Sequence, residues 1–267
     1  MAILASMQLG DGVRPTVLLH GFLGSGRNLR GFAQRWAERE PDRRFLLVDL
    51  TGHGGSPPLP PDADLETMAR DVAETVGAAG FGPRVTVLGH SLGGRVALVW
   101  SRLAPDTVGD LTLLDIAPGP IEAARSSSRR VLDVLLTMPP EAPNRRAFKT
   151  LLVEGGLSPA VADWVLMNLD CDASGCRWRI DRAALAALNT RINADDLWPA
   201  LAARADSGRG TRCLRGERSP YVRDEDVARF TAAGVPVDTI AGAGHDLHIE
   251  APDAVLDVVV RVPESID

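Results

Sequence analysis

Between Arg84 and Leu98 the chain reads Arg-Val-Thr-Val-Leu-Gly-His-Ser-Leu-Gly-Gly-Arg-Val-Ala-Leu. A short apolar run, Val85 to Leu88, passes through Gly89-His90-Ser91-Leu92-Gly93 into a helical pattern with Val96, Ala97, Trp100 and Leu103 on one face. A strand that turns sharply into a helix, with Ser between two glycines, is the nucleophile elbow G-x-S-x-G. The turn forces the Ser backbone into a strained conformation. A side chain at position 89 or 93 would crowd the adjoining strand and helix. The helix that starts after Ser91 aims unpaired N–H groups and its positive dipole end at whatever reacts there.

The residues around this segment repeat a strand–helix rhythm. Pro15 to His20 reads as a buried strand, followed by the loop Gly21-Phe22-Leu23-Gly24-Ser25-Gly26. Leu29, Phe32, Ala33 and Trp36 then form a core-facing helical stripe. Phe45 to Leu50 is a second buried strand, and Leu65, Met68, Ala69, Val72 and Val76 mark another amphipathic helix. After the elbow helix comes Leu111 to Ile116, a further strand. Such alternation implies a parallel sheet with helices on both faces, and a site beyond the carboxyl ends of its strands. The residues before Gly10 read as an edge strand rather than a signal peptide.

The rhythm breaks between about Gly119 and Ser207, where only helical stretches are expected: Ile121 to Met138, Asn144 to Glu154, Pro159 to Leu169 and Arg182 to Ile192. It resumes with a strand from Arg212 to Arg215, a helix from Asp224 to Ala233, a strand from Val237 to Ile240 and a helix from Pro252 to Val260. The expected fold is therefore α/β, with a core of residues 1–118 and 208–267 and a helical cap of residues 119–207 inserted over the sheet. A chain of 267 residues, 45% hydrophobic, suits such a domain.

Charge and cysteine content narrow the function. The net charge is −6 and the basic residues are dispersed, which argues against a nucleic-acid groove or an anionic membrane surface. No apolar run approaches the roughly 20 residues of a membrane span. Three cysteines do not make a disulfide framework. Cys171 and Cys176 flank a turn and could pair, but reduced thiols in a cytosolic protein are the expectation. No Cys/His cluster has zinc-ligand spacing, so neither metal nor cofactor is expected.

A serine nucleophile needs a base, and the base needs an orienting acid. Among five histidines, His90 lies inside the elbow with its side chain expected to point away from Ser91, and His20 and His53 lie on loops above the sheet. His245, in the Gly-flanked loop after the last strand, is the candidate base, with His248 the alternative. For the acid, the loop after Arg215 reads Gly-Glu-Arg-Ser-Pro-Tyr, with Ser219 where Asp is the usual residue. Asp115, at the end of the strand after the elbow, is the favoured acid, because a buried strand-end carboxylate needs a partner such as an imidazole N–H. Glu217 is the alternative acid. The N–H groups of Leu92 and Phe22 are the candidate oxyanion donors. Asp49, His53 and Ser56 are expected to hold loops in register. Trp164, Leu169 and Trp178 could line an apolar pocket, though such residues also serve as cap core.

Taken together, His20-Gly21-Phe22, Asp49 to Ser56, Gly89 to Gly94, Gly244-His245 and Glu250-Ala251-Pro252 resemble the α/β-hydrolase superfamily across essentially the whole chain. Asp115-Ile-Ala-Pro118, with Asn168-Leu169, Trp178-Arg179-Ile180 and Leu185, is similar to the esterase group of bacterial YbfF-type esterases and mitochondrial abhydrolase-domain relatives. The resemblance implies a serine esterase acting on small acyl esters, and it supports Asp115 as acid. The Phe22-to-Ser25 and Gly93-Gly94-Arg95 wording is also similar to a menaquinone-pathway lyase, which carries its acid where this chain has Ser219. Lyase or C–C/C–O cleavage chemistry would need a cap arginine as carboxylate anchor, the candidates being Arg125, Arg129, Arg130 and Arg191. A non-catalytic ligand-binding protein on the same fold is the remaining alternative.

Overall fold

The computed structural model describes residues 1–122 and 126–261, so Arg125 lies outside the described residues. Its centre is a seven-stranded sheet. The strands are β1 (Ser6–Leu9), β2 (Arg14–Leu19), β3 (Arg43–Val48), β4 (Val85–His90), β5 (Val108–Leu114), β9 (Thr211–Gly216) and β10 (Val237–Ile240). Their order is β1-β3-β2-β4-β5-β9-β10. β1 is an antiparallel edge, pairing Ser6 with Val48 and Leu9 with Phe45, and all the other pairs are parallel. The edge strand and the alternation expected for the first half are therefore present.

The inner strands are apolar in both registers because both faces are covered. On one face Leu18, Leu47, Leu88, Leu114 and Leu214 meet α1 (Gly26–Arg39), α10 (Leu247–Glu250) and α11 (Pro252–Arg261). On the other, Val17, Leu19, Val48, Val87 and Leu113 meet α2 (Leu65–Ala78) and α3 (Leu92–Leu103). Asp64 caps α2 by accepting the Thr67 N–H at 2.7 Å. The expected stripe on α1, Leu29, Phe32, Ala33 and Trp36, is wholly buried. α9 (Asp224–Ala232) joins β9 to β10.

The segment between β5 and β9 departs from expectation. It contains α4 (Ser127–Thr137), α5 (Arg145–Glu154), α6 (Pro159–Val165), α7 (Arg182–Asn193) and α8 (Trp198–Asp206). It also contains a three-stranded antiparallel sheet of β6 (Glu141–Ala142), β8 (Gly175–Trp178) and β7 (Leu169–Asp172), so it is not purely helical. Strands of two to four residues with exposed Asp170, Cys171 and Asp172 carry no apolar alternation by which to recognise them. The helix expected to run to Leu169 stops at Val165, passes through a 3-10 turn at Leu166–Asn168, and Leu169 opens β7.

The expectation of reduced thiols is corrected here. Cys171 and Cys176 form a disulfide. The β7–β8 hairpin sets them directly opposite one another, with Cα atoms 4.1 Å apart. Cys213 is free and buried. The insert shares one apolar core with the sheet, since Leu132, Leu135, Phe148, Leu152 and Leu185 join the cluster that contains Val87 and Val96.

Candidate active site

β4 delivers Ser91 with φ 51° and ψ −115°, and α3 begins at the next residue. Positive φ in a residue with a side chain is costly and persists only where its surroundings enforce it. Here the Ser91 N–H is held by the Leu114 carbonyl at 3.0 Å. A Cβ at Gly89 would overlap the Gly93 carbonyl, and one at Gly93 would overlap the Leu19 carbonyl, so α3 and the sheet meet too closely for any other residue.

One strand further on, β5 ends at Leu114 and Asp115 turns out of it with φ 55°. Its carboxylate is fully buried and takes three donors. Oδ1 accepts the Gly216 N–H at 2.9 Å, while Oδ2 accepts His245 Nδ1–H at 2.6 Å and the Ser219 hydroxyl. Those bonds replace the water the carboxylate has lost. They also set the His245 tautomer: with Nδ1 donating to Asp115, Nε2 is left as the basic nitrogen.

His245 is gripped on other sides too. The Tyr221 ring stacks on it at 4.1 Å, and His90 Nε2–H donates to its backbone carbonyl at 2.9 Å. The His90 ring lies 4.6 Å from the His245 ring, and burial drives its pKa well below the usual imidazole value. Tyr221 hydroxyl in turn accepts the Ser127 N–H at 2.9 Å, tying the start of α4 to this corner. Ser219 and Tyr221 were missed as site residues. Tyr221 is the chain's single tyrosine, but neither residue belongs to a spacing pattern.

Of the two alternatives, His248 borders the cavity that Ser91 and His245 line, and Glu217 does not. Glu217 is exposed, and its Oε2 accepts the Gly242 N–H at 2.8 Å. His248 packs its ring 4.7 Å from His90, with burial and the nearby His245 pushing its pKa down to about 4. His20 joins two strand ends: its Nε2 accepts the Leu50 N–H at 2.9 Å and its Nδ1–H reaches the Gly21 carbonyl at 2.8 Å. Asp49 accepts the N–H groups of Gly26 at 2.7 Å and Gly55 at 2.8 Å, and its carbonyl takes the Ser56 hydroxyl at 2.6 Å. His53 Nδ1–H bonds the Thr51 carbonyl at 3.0 Å. These contacts hold the loops around the site, as expected of Asp49, His53 and Ser56.

Ser91, Leu92, Phe22 and His245 all border one cavity of about 300 Å³. Phe22 sits in the tight turn closed by Gly24 N–H to the Gly21 carbonyl at 3.0 Å, and the insert reaches this turn through Asn168 Nδ2–H to the Leu23 carbonyl at 2.9 Å. Above Ser91 the walls are Ile121, Val131, Val161, Trp164 and Ile192. Trp164 is therefore on the cavity, but Leu169 and Trp178 are not. Leu169 is buried in the insert, and Trp178 packs edge-on to Phe148 at 4.7 Å while its indole N–H bonds the Pro139 carbonyl at 3.0 Å.

Among the candidate anchors, Arg129 pairs with Asp133 at 2.9 Å, Arg130 is exposed, and Arg191 donates to the Ala63 carbonyl; none borders the cavity. Arg95 does border it, from α3, with burial pushing its pKa down to about 10. Its guanidinium reaches the carbonyls of Gly119 at 2.7 Å and of Ile192 and Asp195 at 2.9 Å each.

A mostly parallel sheet with a strained serine at its elbow, beside a carboxylate–imidazole pair at the strand ends, defines the α/β-hydrolase class. The comparisons agree: residues 16–258 match the model of the alpha/beta hydrolase family, and the chain belongs to that family. It is 30% identical to esterase YbfF of Escherichia coli over 251 residues, covering 92% of each chain. It is 29% identical to mouse sn-1-specific diacylglycerol lipase ABHD11 over 259 residues, 94% of this chain and 81% of the lipase. A marine microorganism esterase superposes with a TM-score of 0.83 at 26% identity, covering 97% of this chain and 99% of that one. The resemblance read from the sequence is thus borne out, and the relatives are esterase- and lipase-type hydrolases.

Proposed function

We propose that this protein is a serine carboxylesterase for small, short- to medium-chain acyl esters. The observation that carries this reading is the Asp115–His245 hydrogen bond at 2.6 Å, made beside the cavity that Ser91 and His245 share. Ser91 attacks the ester carbonyl as His245 Nε2 takes its proton. Asp115 holds the imidazole in the required tautomer and stabilises the cation that forms. The Leu92 N–H, at the first turn of α3 where no helical partner exists, and the Phe22 N–H receive the oxyanion, each such donor contributing about 3 kcal/mol. His245 then protonates the departing alcohol and activates water against the acyl-enzyme.

In this reading residues 119–207 act as a cap over the core of residues 1–118 and 208–267. Ile121, Val131, Trp164 and Ile192 form the apolar acyl wall, and about 300 Å³ suits a small acyl ester rather than a long-chain lipid. The names of the relatives, an esterase and a lipase among them, support ester hydrolysis.

The test is turnover of a p-nitrophenyl ester series from acetate to palmitate, with wild type and Ser91→Ala compared. Wild type is expected to favour the shorter chains and to be labelled by a serine-directed phosphonate. Ser91→Ala is expected to fold normally and lose both properties. Wild-type rates from Ser91→Ala would overturn the reading. An unlabelled, inactive wild type would return weight to a ligand-binding protein.

A further inference from the structure

Behind His245, the side chains of His90, Asp246 and His248 place their ligand atoms within 4.8 Å of one another. Elements far apart in sequence bring them together: the elbow strand carries His90, while Asp246 immediately precedes α10 and His248 lies within it. His90 Nε2 lies 3.9 Å from Asp246 Oδ1, and the His90 and His248 rings lie 4.7 Å apart. His248 is buried, and its Nδ1 has no hydrogen-bond partner among the described residues, a costly state for an imidazole nitrogen. Asp246 is 57% exposed at its side chain, and all three residues border the cavity, so an ion has a path in from solvent.

The geometry points to a binding site for a borderline divalent transition-metal ion, of the Zn²⁺ type, at His90, Asp246 and His248. Two imidazoles and one carboxylate favour zinc, nickel or copper over calcium or magnesium, which take all-oxygen sets. Three protein ligands leave a fourth position for water. A four-coordinate ion with bonds near 2.0–2.1 Å spans ligand atoms about 3.3 Å apart. Closure to that spacing requires rotation of the exposed Asp246 side chain together with adjustment of the two imidazole rings.

Occupation works against ester hydrolysis. To ligate through Nε2, His90 gives up its bond to the His245 carbonyl, and its proton passes to Nδ1 so that the ring stays neutral. The loop bearing His245 then loses an anchor. A dication beside His245 also opposes the imidazolium that the proposed reaction forms.

Two readouts separate this proposal from the esterase reading on which its inhibitory part rests. In the first, the intact protein competes with a chromogenic chelator for Zn²⁺. One ion per chain is expected for wild type and for Ser91→Ala, with affinity reduced tenfold or more in Asp246→Asn and in His248→Gln. Asp246 is exposed, so its variant keeps the test decisive if His248→Gln fails to fold. Failure of wild type to compete, or wild-type affinity in the folded variants, would sink the site. The second readout is p-nitrophenyl ester turnover. Saturating Zn²⁺ is expected to lower the wild-type rate at least tenfold, with recovery on adding EDTA. Asp246→Asn, measured against its own metal-free rate, should need correspondingly more zinc. An inactive wild type that still binds one Zn²⁺ at these residues would count against the esterase reading and uphold the site.

Discussion

Asp115 illustrates what a buried carboxylate demands of its neighbours. It has no exposure, a left-handed backbone and three donors, so each partner is there because the charge would otherwise be stranded. Replacing it by Asn keeps the shape but presents an amide to His245 Nδ1 and favours the wrong tautomer. Turnover of p-nitrophenyl butyrate is expected to fall on the order of ten-thousandfold with little change in melting temperature. Glu217→Gln alters an exposed turn contact, and its rate is expected to stay within about twofold of wild type. The opposite ranking of the two variants would move the acid to the loop after β9.

At the scale of elements, α3 is pressed against the sheet and tied to the insert. Gly93→Ala puts a methyl group onto the Leu19 carbonyl, which can yield only if the helix or β2 shifts. A loss of about 3 kcal/mol is expected from urea unfolding, large for a single methyl group. Arg95 is the tie. Its guanidinium bonds Gly119 at one end of the insert and Ile192 and Asp195 towards the other. Arg95→Met leaves those carbonyls without a charged donor and should cost about 3 kcal/mol. Limited proteolysis should then cut first within residues 119–207. Unchanged cleavage would mean that the insert is held by its shared apolar core alone.

For the molecule as a whole, buried neutral histidines couple stability to pH. Burial pushes His20 down to about 4 and His53 down to about 3. In the unfolded chain both titrate near 6.5, so between these values the unfolded state binds more protons. Their contribution is therefore complete above pH 6.5 and is lost as pH falls, down to about 4 for His20 and about 3 for His53. The melting temperature should decline over that window, with proton uptake on unfolding. A flat profile from pH 7 to pH 4.5 would show that these rings are accessible in the folded state.

The elements of the core were legible because burying a sheet on both faces leaves uninterrupted apolar runs, and because helices alternate with them at a period the side chains record. The elbow was legible because its strain can be met only by Gly-x-Ser-x-Gly. Pairing of Asp115 with His245 could be anticipated from electrostatics, since a strand-end carboxylate must find a donor. The residues that complete that arrangement were not legible. Ser219, Tyr221 and His90 meet His245 or Asp115 through contacts between segments remote in sequence, and no local period marks them. The same holds for the short strands of the insert, the Cys171–Cys176 bridge they align, and Trp164 facing the cavity while Trp178 turns away from it. Local pattern determined which segments are strands, helices and the elbow, because it records burial along one element at a time. Only the tertiary structure decided which side chains share a cavity, because that depends on how separate elements are rotated and packed against one another.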